Sequence, residues 1–156
     1  MKRKSTTLYN VMFPIWFFFF YPTYLWLIIL PVNFGIDSLV LWLSAKKQGI
    51  EDRKKLWKQS ILWIWMIGFF SDFMGGLACL GLMIPTEHWL YSSMPYTLVQ
   101  FLTGIPGVII AGVLIYFLNR WLSFRKTDLT KEQIRKTALH LAIFTAPYAM
   151  LVPIYW

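Results

Sequence analysis

From Ile61 to Ile84 the chain reads ILWIWMIGFFSDFMGGLACLGLMI, an apolar run broken by one carboxylate, Asp72, near its middle. An α-helix needs about twenty such residues to cross a bilayer, so Asp72 is expected at about half depth. Gly68, Asp72 and Gly76 recur at i+4, and Ser71, Gly75 and Cys79 repeat that step one residue earlier. The acid therefore lies on a face of small residues, which let helix backbones approach one another. That face is expected to pack on other helices rather than on lipid. An acid held inside a membrane is costly and points to function.

No water-soluble fold of 156 residues could hide a chain that is 58% hydrophobic. The basic residues are segregated into Lys2 to Lys4, Lys46 to Lys58 and Arg120 to Lys136, and these clusters hold all 15 Lys and Arg. Basic clusters flanking apolar runs follow the positive-inside rule and argue against nucleic-acid binding. Cys79, the single cysteine, has no internal disulfide partner and no His at its expected depth, so thiol catalysis is not supported. Glu87 and His88 are neighbours without ligand spacing, and no phosphate-binding glycine loop is present. The sequences SDFMGG and GIDSLV around the aspartates do not read as intramembrane protease signatures. The expectation is a chain that is not an enzyme, with no catalytic residues, cofactor or metal site.

The fold class expected is all-α: an integral membrane helical bundle, one domain over 1–156. Five transmembrane helices are predicted at about 9–29, 31–48, 60–84, 97–118 and 132–155, the alternative being four plus an interfacial helix. The apolar run from Leu8 to Ala45 is too long for a signal peptide and reads as an uncleaved anchor. Basic clusters at both its ends require an even number of crossings, so Pro31 is placed at a break between two helices, with Pro22 kinking the first and Gly49 ending the second. PTEHWLYSSMPY, which has no Lys or Arg, reads as an external loop. Trp57, Trp63 and Trp65 suit the headgroup level. Thr130 with Gln133 matches a capping box at the start of the last helix, which Pro147 is expected to kink.

Asn33, Asp37 and Ser44 line up on one side of the second helix at helical pitch. Gln100, Thr103, Gly107 and Ala111 follow an i+3/i+4 rhythm on the fourth, where Pro106 frees the carbonyl near Leu102. Counting depth along each helix puts Asp37, Asp72, Gln100 and Thr103 together in the outer half of the membrane, without Lys or Arg at that level. A proton, a bound cation or water must then compensate the acids. His140 lies just inside the cytoplasmic boundary, placed to hydrogen-bond a neighbouring helix. The expected ion or proton site comprises Asp72, Asp37, Asn33, Ser71, Gln100 and Thr103, with Gly68, Gly75, Gly76, Gly107 and Ala111 packing the helices. The chain thus reads as a small proton- or cation-linked transporter or channel-like protein, the alternative being a non-catalytic membrane subunit or assembly factor. Its expected partners are the lipid bilayer and either further copies of itself or a membrane subunit. The expected location is a bacterial plasma membrane, N-terminus cytoplasmic and C-terminus outside.

Overall fold

The computed structural model describes Tyr24 and residues 26–152, with backbone alone at 86–93 and 96. The described residues are all-helical: α1 spans Trp26–Lys47, α2 Arg53–Ser93, α3 Tyr96–Leu118 and α4 Lys131–Phe144. A π-helical turn, Asn119–Ser123, continues α3, and a 3-10 turn, Tyr148–Leu151, follows α4. Three helices are long and apolar enough to cross a membrane, over Trp26–Lys47, Arg53–Pro85 and Thr97–Ser123. Polar and apolar residues are distributed inside out. Leu27, Leu43, Met66, Phe70, Ile109 and Phe117 are exposed, while Asp37, Ser44, Ser60, Ser71, Asp72 and Asn119 are buried. An exterior of this kind is matched to lipid rather than to water.

The five-helix expectation is not reproduced. Most of the first predicted helix, 9–29, lies outside the described residues, and α1 runs unbroken through Pro31. Proline removes one backbone donor, here facing the Leu27 carbonyl, and that loss is tolerated near a helix start. Packing on α2 holds the turn: Trp65 donates its indole N–H to the Leu30 carbonyl at 3.2 Å, and the rings of Trp26 and Phe69 stack. The predicted external loop is also corrected, because α2 continues through Pro85 to Ser93. Its 41 residues span about 60 Å, roughly twice a hydrocarbon core. Of the three tryptophans assigned to the headgroup level, Trp57 and Trp65 instead turn toward α1, Trp57 donating to Ser38 Oγ at 3.0 Å. Trp63 is exposed.

The last helix is shorter than expected. It starts with the capping box of Thr130 and Gln133 and stops at Phe144. Pro147 disfavours helix at Ala146 and lacks the N–H that would reach the Ile143 carbonyl. The Tyr148 hydroxyl takes that freed carbonyl instead, at 2.6 Å. A 14-residue α4 is about 21 Å long, too short to span. Gly49, by contrast, ends α1 as expected at φ +67, with Ile50 N–H donating to the Ala45 carbonyl and Gly49 N–H to that of Lys46. These are the paired bonds of a Schellman cap.

Successive helices run antiparallel, and the ends of α1 and α3 and the starts of α2 and α4 gather at a basic end. There Leu41, Ala45, Ile64, Ile115, Ala138 and Leu141 form part of one apolar cluster. Lys55 and Asp128 pair across its surface at 2.7 Å. The closest helix contact is α2 on α3. A Cβ on Gly75 would stand 2.7 Å from the Gly107 carbonyl oxygen, and one on Gly107 would strike Cys79 Sγ and the Gly75 carbonyl. Ala111 seals the same seam and is fully buried.

Candidate functional site

The small-residue face of α2 divides between two neighbours. Gly75 and Cys79 turn to α3, whereas Gly68 faces the Asp37 carboxylate of α1: its missing Cβ would lie 3.6 Å from Asp37 Oδ2. Gly68 and Asp72 are one helical turn apart, about 6 Å on one face, so Asp37 and Asp72 are close neighbours on facing helices. Each is only 5% exposed, and Ser71 beside Asp72 is fully buried. Asp72 Oδ1 and Ser71 Oγ have no hydrogen-bond partner among the described residues. The Thr145 side chain, at the end of α4 where the helix breaks, approaches Asp37. Two ionised carboxylates on such close facing positions would repel each other in a low-dielectric interior. No Lys or Arg occurs between residues 59 and 119 or between 5 and 45 to offset this. The pair can therefore hold a proton or a cation, or admit water, but it is not neutralised by basic side chains of these helices.

The other expected site residues fall at different levels. Asn33, one turn from Asp37 away from the basic end, is half-buried. Because Gly75 packs on Gly107 and Ala111, while Cys79 reaches Gly104 and Gly107, Asp72 is level with α3 near Ala111. Gln100 is eleven residues from Ala111, about 16 Å along the helix axis. Gln100 and Thr103 thus form a second buried group, apart from the aspartates. Thr103 donates to the Val99 carbonyl at 2.8 Å, whereas neither amide atom of Gln100 has a partner among the described residues. The single outer layer inferred from helix starts becomes two layers, because α2 crosses α3 with Asp72 nearer the basic end. Gly76 is buried.

The break at Thr145 to Pro147, expected as a kink, ends α4 and places a hydroxyl beside Asp37. Nearer the basic end His140 hydrogen-bonds a neighbouring helix as expected, within a polar cluster that α1 and α4 share. Ser44 Oγ lies 2.8 Å from His140 Nδ1 and 3.4 Å from Thr137 Oγ1, while Gln48 Nε2 donates to Thr137 Oγ1 at 2.8 Å and to Ser44 Oγ at 3.1 Å. The spacings 44/48 and 137/140 put each pair on one helix face, which was the available signal. What the spacing lacks is the pairing of the two faces. Burial, and then the nearby Lys47 charge, hold His140 below the ordinary histidine range. No family model, no curated protein and no solved structure matches the chain.

Proposed function

We propose that this chain is a multi-pass membrane protein that passes protons or small cations, with Asp72 and Asp37 as the site that carries them. The observation that supports this reading is the pair of buried carboxylates on facing helices with no basic side chain to offset them, one oxygen of Asp72 lacking any partner among the described residues. In a low-dielectric interior such a pair is costly unless occupancy by a proton, cation or water is part of its work. The basic end faces the cytoplasm in this reading, as the positive-inside rule requires, and the membrane is a plasma membrane. Further copies of the chain complete the path in this reading.

The unpartnered Asp72 and Gln100 also favour a second reading, in which partner helices of a larger assembly supply the missing donors. One experiment separates the two: ion or proton flux into proteoliposomes of the purified chain, wild type against Asp72→Asn. The variant keeps the shape and removes the charge. Flux lost with fold and oligomer size unchanged supports the carboxylate path. No flux in wild type, with a partner subunit lost from the variant on purification, refutes it and makes Asp72 a docking residue.

A further inference from the structure

We propose that His140, Ser44, Thr137 and Gln48 form the proton-loading station of the carboxylate site, taking protons from the basic end. This rests on the reading above and narrows its cargo to the proton. Three observations lead to it.

The first is placement. The cluster and Asp37 lie along one seam between α1 and α4. Ser44 precedes the basic end of α1, and Asp37 lies seven residues deeper, about 10 Å along the axis. Thr145, beside Asp37, is five residues beyond His140 on α4.

The second is proton chemistry. Gln48 Nε2 donates to Ser44 Oγ and Thr137 Oγ1, which accept in this arrangement, while its Oε1 is buried without a partner among the described residues. Ser44 then has a single proton and two places to send it. Toward Nδ1 at 2.8 Å it satisfies a neutral imidazole, and toward Thr137 at 3.4 Å it leaves its own oxygen to accept from the imidazolium. The cluster thus satisfies both charge states of His140 by one hydroxyl rotation. Lys47 of α1 is the charged group that bears on His140, while Lys136 on its own helix is taken up by Glu132 at 2.7 Å. Burial and the Lys47 charge favour the neutral imidazole, whose Nδ1 then accepts from Ser44.

The third is the barrier. Leu41 and Leu141 are buried in the shared apolar cluster, Leu41 between Asp37 and Ser44 along α1 and Leu141 between His140 and Thr145 along α4. They separate loading from delivery. Water carries the proton of an imidazolium formed at the basic end to the Asp37 carboxylate, about 10 Å deeper, returning neutral imidazole and a neutral acid.

A purely structural rivet between α1 and α4 would need the hydrogen bonds and not the titration. The test is pH-gradient-driven proton uptake in proteoliposomes with the membrane potential clamped, comparing wild type, Asp72→Asn, His140→Asn and His140→Ala. The asparagine can still accept from Ser44 but carries no proton in this pH range. We expect both His140 variants to lose at least about tenfold in initial rate at wild-type thermal stability. Imidazole added on the basic side, and not on the far side, should restore His140→Ala. Wild-type flux in His140→Asn, or no rescue by imidazole, overturns the loading station while loss in Asp72→Asn leaves the carboxylate site standing. Flux kept in Asp72→Asn as well overturns both. Should the His140 variants fail to fold, Ser44→Ala serves, with flux at the wild-type rate counting against the proposal.

Discussion

A methyl group added at Gly75 and the same methyl added at Gly68 should have opposite effects. At Gly75 the new Cβ would meet the Gly107 carbonyl oxygen at 2.7 Å and Ala111 Cβ at 3.2 Å. Restoring an ordinary contact would part α2 from α3 by about 0.7 Å at a seam where neither neighbour can rotate away. Forcing one extra methyl into a packed interface costs about 1–3 kcal/mol, against which alanine returns up to ~1 kcal/mol of helix propensity. We therefore expect Gly75→Ala to lose up to about 2 kcal/mol net. At Gly68 the nearest atom is Asp37 Oδ2 at 3.6 Å, an ordinary contact, so only the propensity gain of up to ~1 kcal/mol remains. The propensity gain cancels between the two variants, which should then differ by about 1–3 kcal/mol. Equilibrium unfolding in mixed micelles by SDS titration measures this directly. Equal midpoints for the two alanine variants would refute the assignment of Gly75 to a backbone contact and of Gly68 to an open face.

Other consequences can be checked in the same preparation. Gly49→Ala places a Cβ at φ +67 and should cost about 1–2 kcal/mol in the same titration, with Gly49→Asn costing less. The Lys55 to Asp128 pair gives a pH signature. Lys55 holds the Asp128 carboxyl below the ordinary carboxylate range, and Asp128 holds Lys55 above the ordinary lysine range. Its contribution is thus full between about pH 4 and pH 10, lost below as Asp128 protonates and above as Lys55 deprotonates. Both side chains are exposed, so the contribution is small and falls with salt. An NMR titration should show the Asp128 midpoint rising in Lys55→Met, and an unchanged midpoint would mean that the pair does not form in solution.

The sequence by itself determined the chemistry of the bundle. Long apolar runs, basic clusters at their ends and Asp72 within Ile61 to Ile84 require helices whose polar residues face inward, because lipid can satisfy no backbone or side-chain polar group. The Thr130 cap and the Gly49 stop were legible for a similar reason, since each is satisfied within a few residues of chain. Prolines were read less well. Pro31 and Pro85 leave their helices intact and Pro147 ends one, and the ring is alike in all three. The difference lies in the surroundings: indole and ring packing on α2 hold the turn at Pro31, whereas the Tyr148 hydroxyl takes the freed Ile143 carbonyl and makes the break at Pro147 self-sufficient. Tertiary structure alone decided which polar residues meet. Spacing along one helix puts Asp37, Ser44 and Gln48 toward a common side, but the crossing of α1 with α4 and α2 sets Ser44 against His140 and Asp37 against Gly68. The crossing of α2 with α3, set by Gly75 on Gly107, likewise separates Gln100 from the aspartates. Register between helices is fixed by backbone approach across tens of residues, and no local pattern in the chain encodes it.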